Sequence, residues 1–218
     1  VGFWRLQCGT DFQKGGTEMK HFVVLNDKSV MVDGVPMQLE NQGMAMLNDV
    51  YRSKIGDYPK FFKMDALCKV GFVASELLLK AETDGEISQR KAHGTSSRAV
   101  LLFNRSGSLN ADTKYQATIQ EADNFFPSPA IFVYTLSNIV TGEIAIRYLY
   151  YGETNFIVLD SMDLHTMAEQ IANAFQDSET ESVLTGWVDC YDENHFEARM
   201  LIINRNEDIL NELNKIKQ

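Results

Sequence analysis

The sequence predicts an α/β fold with a mainly parallel sheet and helices on both faces, on three observations. Short apolar runs bounded by turn residues alternate with helical patterns across residues 98–191, the pattern of strand–helix–strand units. A long apolar helix pattern with interleaved small residues precedes them, over residues 57–82. Two further runs, residues 183–191 and 196–204, are joined by the polar turn Asp192-Glu193-Asn194 and predict an antiparallel edge.

Taken in order, residues 1–18 have no clear organisation. Residues 21–35 read as a hairpin turning at Asn26-Asp27-Lys28. Residues 39–53 place Met44, Met46, Leu47, Val50 and Tyr51 at helical spacing. Asp57-Tyr58-Pro59 opens the strongest helix, whose Ala66, Gly71, Ala74 and Ser75 predict close packing and burial. Residues 83–97 are a polar linker, and residues 98–104 (RAVLLFN) read as a buried strand. A loop at Arg105-Ser106-Gly107-Ser108 leads to a helix over residues 112–122, and residues 207–217 close the chain as a polar helix.

Residues 124–161 organise the remainder. Pro127 and Pro129 mark an entry, residues 134–150 read as an apolar helix stopped at Gly152, and residues 155–159 read as a buried strand. That strand runs into Asp160-Ser161 and a helix over residues 164–175. Several α/β enzymes present a nucleophile at such a strand-to-helix junction.

Composition narrows the function classes. The 218 residues carry a formal net charge of −10 with no run of Lys or Arg, which argues against a nucleic-acid surface. Cys8, Cys68 and Cys190 are odd in number and without a CxxC pair, a pattern of reduced thiols rather than a disulfide framework or zinc site. With no run of 18 apolar residues and no basic-then-apolar leader, the expectation is a cytoplasmic protein without a membrane span.

Three groups of residues carry a family resemblance. They are Lys63-Met64-Asp65-Ala66 continuing into GFVASELLL; Pro129, the run SNIVTGEIAI over residues 137–146, and Gly152; and Thr185-Gly186-Trp187-Val188-Asp189. In this order the chain resembles the N-terminal half of the β-ketoacyl synthases (3-oxoacyl-acyl-carrier-protein synthases), the condensing enzymes of fatty-acid and polyketide assembly. The resemblance covers residues 59–204, with residues 1–58 a divergent hairpin and helix of the same single domain. It implies one half of the duplicated thiolase-like fold.

Two departures bear on activity. Family members carry a cysteine where the central strand meets its helix; here the position falls at Ser161 or a neighbour, in Leu159-Asp160-Ser161-Met162-Asp163. The half that supplies the family's two catalytic histidines is expected to be absent, since the residues after Asn204 read as a short charged helix.

A serine gains little from a helix N-terminus and needs an adjacent base. His165, four residues on, is the candidate base; the competing reading makes Asp160 or Ser161 a helix cap, with Asp163 as first-turn charge. Two carboxylates at this spot also oppose a developing oxyanion.

Other motifs favour structural readings. Ala92-His93-Gly94-Thr95 resembles a signature of the family's second half but falls too early in the chain. Residues 105–108 read as a tight turn before an anion site. Asp189, Asp192, Glu193 and His195 read as a solvated hairpin before a metal site, and Lys63 with Asp65 as a structural ion pair.

No cofactor or metal is expected. The resemblance implies a catalytically inactive partner subunit, or a binder of acyl chains or acyl carrier protein, in fatty-acid, polyketide or pigment-type biosynthesis. The alternatives are an active synthase or acyltransferase using Ser161 or partner-supplied residues, and a structural scaffold. A lone half exposes an apolar face, so a homodimer or a heterodimer with a ketosynthase-type subunit is expected through residues 134–150, 155–159 and 161–176. The acidic charge disfavours an acidic carrier protein.

Overall fold

A computed structural model describes residues 21–83, 94–123 and 125–217. Its seven-stranded sheet is built from β1 (Phe22–Asn26), β2 (Val30–Val32), β3 (Val35–Pro36), β4 (Arg98–Asn104), β5 (Thr154–Val158), β6 (Ser182–Asp192) and β7 (His195–Asn204), in the order β3-β2-β1-β7-β6-β4-β5. Only β4–β5 and β4–β6 pair in parallel; the other four pairings are antiparallel. The sheet is therefore mixed rather than mainly parallel. The final hairpin, expected at an edge, sits in the middle, where β7 receives β1 and β6 receives β4.

The helices are α1 (Gly43–Val50), α2 (Ala66–Glu82), α3 (Leu109–Ala117), the short α4 (Pro129–Phe132), α5 (Ile139–Tyr148), α6 (Leu164–Ala174) and α7 (Ile209–Asn214). They lie on both faces of the sheet, as the sequence predicts. All of β4 is buried, and its alternation serves two cores. Val100 and Leu102 pack with α2 and α5; Ala99, Leu101 and Phe103 pack with α6 and α7.

Helix α2 is the buried helix its pattern predicts, but it begins later than residue 57. Pro59–Lys63 form a 3-10 turn, Met64 is extended (ψ 148°), and Asp65 caps α2 by accepting the Cys68 N–H at 2.9 Å. Asp65 thus serves the helix terminus instead of pairing with Lys63. Gly71 explains the small-residue pattern, because a Cβ there would lie 2.5 Å from a Val140 methyl of α5. Gly186 in β6 (φ 149°) is similarly constrained: a Cβ would meet the Arg199 carbonyl oxygen of β7 at 2.0 Å.

The helix expected over residues 134–150 is broken. Val133–Thr135 form a 3-10 turn, Leu136 is extended, and the path bends by 95° before α5 resumes at Ile139. Polar side chains take up local backbone groups around the break: Thr135 Oγ1 donates to the Phe132 carbonyl (2.7 Å), and Thr141 Oγ1 to that of Asn138 (2.8 Å). Helix α3 runs over Leu109–Ala117, so Asp112 lies in its first turn.

Charged side chains fasten the segment before α2 to the helices. Arg147 of α5, nearly buried, donates to Glu76 of α2 at 2.8 Å and also bonds Asp57. One turn earlier on α5, the buried Glu143 pairs with Lys60 (2.5 Å) and accepts the Tyr58 hydroxyl (3.2 Å).

Candidate functional site

The carboxyl ends of β4, β5 and β6 define the region where ligands bind in open α/β sheets. At the β5–α6 junction, the Leu159 N–H donates to the Asn104 carbonyl at 2.8 Å, which carries the chain alongside β4 to Asp160 and Ser161. The cap of α6 is Asp163, two residues beyond Ser161. It accepts the His165 N–H (3.0 Å) and the Thr166 hydroxyl (2.8 Å), and these bonds hold its carboxyl below the usual carboxylate range. The cap expected at Asp160 or Ser161 is displaced because Asp163 reaches the first free N–H groups.

Ser161 and His165 are both exposed, and no hydrogen bond joins them among the described residues. The Ser161 carbonyl accepts the Asp163 N–H at 2.8 Å. His165 lines a hollow of about 230 Å³ with Met162, Leu164, Leu210, Asn214 and Lys217, and Ser161 is outside it.

Neither described thiol substitutes for the family cysteine. Burial pushes the Cys190 thiol up to about 12, and its Sγ lies 3.4 Å from the Asp192 carbonyl oxygen. Cys68 sits in the first turn of α2, where the helix dipole favours a thiolate. Burial overrides the dipole and raises its thiol well above the ordinary range.

The other motifs are engaged locally. The Ser106 N–H donates to Asp189 (3.0 Å) and the Gly107 N–H to Asn104 (3.0 Å), so the protein's own oxygens fill the anion-like turn. Asp192 bonds His195 at 2.9 Å, and Glu193 pairs with Lys114 at 2.5 Å. Of Ala92-His93-Gly94-Thr95, only Gly94 and Thr95 are described, and Thr95 bridges to Tyr150.

The largest departure from the sequence reading is β5 itself. Expected to be buried, it is an edge strand, with Thr154, Asn155 and Val158 exposed. Its apolar run is suited to a buried strand, but among the described residues no strand pairs with its far side. The exposed large apolar side chains concentrate nearby in the sequence, among them Phe126 (74%), Tyr151 (70%), Ile146 (63%), Phe125, Val158 and Leu136. The sequence implies an exposed apolar face at residues 134–150, 155–159 and 161–176, but the same run reads as a buried strand, and its pattern does not show which side stays open.

No family model matches this chain, and no curated protein matches it. Solved structures do. The chain matches "The ishigamide ketosynthase/chain length factor" at a TM-score of 0.57 and 16% identity, over 85% of this chain and 61% of that one. A second match is a type II PKS acyl-carrier protein in complex with its ketosynthase bound to the hexaketide: TM-score 0.51, 13% identity, 85% of this chain and 64% of that one. A third is a ketosynthase in complex with its chain length factor from Xenorhabdus doucetiae: TM-score 0.49, 10% identity, 85% of this chain and 79% of that one. The chain thus spans less than two thirds of the first structure's length. The fold is thiolase-like, of the kind found in ketosynthases and chain length factors.

Proposed function

We propose that this chain is a ketosynthase-like subunit without acyl-transfer chemistry of its own, serving as a partner in fatty-acid, polyketide or pigment-type acyl-chain assembly. The observation that carries this reading is the β5 edge, which no further strand covers among the described residues, together with the exposed large apolar side chains concentrated in residues 125–158. It is a surface suited to a second subunit. The junction chemistry is consistent with it, since among the described residues no hydrogen bond joins Ser161 to His165, and the Asp163 carboxylate that caps α6 opposes a developing oxyanion.

The test is mass spectrometry of the protein after incubation with an acyl thioester, alone and with a ketosynthase-type subunit. The expected result is an unmodified chain that co-purifies with that subunit. A covalent acyl adduct on Ser161 would establish an active acyltransferase and overturn the reading.

A further inference from the structure

A row of polar side chains crosses the central strands near the turn between β6 and β7. In the β6–β7 ladder Asp189 stands directly opposite Glu197, and in the β7–β1 ladder Glu197 stands opposite Asn26. Alternation puts the three on the face that also carries Trp187 and Leu201, the side of the core under α6 and α7. Like charges directly opposite in an antiparallel pair repel and destabilise it. Elsewhere the carboxylates near the core have a cation: Glu76 has Arg147, Glu82 has Arg98, and Glu143 has Lys60. In this row Glu197 is paired with Arg199 of its own strand at 3.0 Å, and Asp189 accepts only the Ser106 backbone N–H among the described residues.

The row opens into a hollow of about 430 Å³, a size suited to a small molecule. Asp27, Tyr191 and Arg105, which directly follows β4, line it together with Asn26, Asp189 and Glu197. Among the described residues neither the Arg105 guanidinium nor the Asp27 carboxylate has a side-chain partner, although both face the same hollow. Charges of both signs are thus held in one place without satisfying each other. A local rule broken with no compensating gain in packing marks a functional site more often than a structural one.

We infer that this hollow binds a small zwitterion, a molecule with a primary ammonium group and a carboxylate, as in an amino acid. The ammonium lies between Asp189 and Glu197 and relieves their repulsion, and the Arg105 fork takes the carboxylate. The chain at Arg105 and the strand of Glu197 lie two strand spacings apart, roughly 10 Å. A ligand of a few carbons bridges that gap once the two long side chains lean inward. No residue of the β5–α6 junction and no partner subunit takes part, so the inference stands or falls independently of the reading above.

The test is isothermal titration calorimetry of the full chain with glycine, γ-aminobutyrate and ε-aminocaproate, and with n-butylamine and butyrate as half-ligands. At least one of the three amino acids is expected to bind at least about tenfold more tightly than either half-ligand. Arg105→Gln, at an exposed position, is expected to weaken that binding at least about tenfold. Asp189→Asn is expected to weaken it by a similar factor while the melting temperature of the free chain equals or exceeds the native value. That substitution removes the like charge and keeps an oxygen for the Ser106 N–H. A purely structural Asp189 would instead lower the melting temperature on substitution. No binding by any of the three amino acids overturns the inference, as does a half-ligand that binds as tightly as the best of them. Binding that both substitutions leave unchanged places the ligand elsewhere and also overturns it.

Discussion

Asp65 shows how one side chain decides where an element begins. It is largely buried, accepts the Cys68 N–H, and burial raises its carboxyl above the ordinary value of 3.8. A raised folded-state pKa contributes stability that is present below the unfolded value and lost as pH rises through the folded one. Asp65→Asn keeps the capping oxygen and removes the buried charge. Its stability at pH 7 is expected to equal or exceed that of the native chain, and the advantage fades as pH falls from the raised folded-state value towards 3.8. Asp65→Ala loses the cap and should fall below Asp65→Asn by about 1 kcal/mol. Urea unfolding of the three proteins between pH 3 and pH 7 checks both statements. The capping role was not legible beforehand, because a helix pattern opening at Pro59 and an ion pair with Lys63 both fit the same residues.

Among the elements, α5 and β5 were read with the right composition and the wrong surroundings. The apolar spacing of residues 134–150 gave one helix, yet the path turns at Leu136-Ser137-Asn138, where the flanking Thr135 and Thr141 hydroxyls take up the Phe132 and Asn138 carbonyls. The run at β5 gave a strand, but whether its far edge meets this chain or another is a tertiary fact that period-2 patterning does not encode. Helix α5 also carries the nearly buried Arg147 against Glu76. Arg147→Met leaves Glu76 charged without its partner and is expected to cost about 3–5 kcal/mol; pairing it with Glu76→Leu should recover most of that loss. Thermal and denaturant unfolding of the single and double variants provide the measurement. Recovery would show that the ion pair acts by mutual compensation and adds little net stability.

For the whole molecule, the alternation over residues 98–191 made the α/β class legible, and the two-faced burial of β4 bears it out. The sheet order was not legible, because the sequence does not say that a C-terminal hairpin inserts between β1 and β4. The strand-to-helix junction at β5–α6 was legible, while the cap at Asp163 and the open edge emerged only from the fold. The proposed role predicts that Val158→Lys, at a side chain 55% exposed, changes stability by less than about 0.5 kcal/mol while abolishing co-purification with a ketosynthase-type subunit. Equal retention of the partner by native and Val158→Lys chains would move the interface elsewhere.

The central placement of β6 and β7 also sets a timetable. Phe22 of β1 pairs with Leu201 of β7, and Arg98 of β4 pairs with Ser182 of β6. On a ribosome, the β1–β2–β3 group and the β4–β5 pair emerge early, but the two strands that join them arrive last. Each early piece must wait with an unpaired flank, and closure depends on contacts far apart in sequence, which fold slowly. Until β7 is complete, the nascent chain has strand edges open on both pieces, and a chaperone that shields them has its longest period of work on this protein before the final hairpin closes the gap.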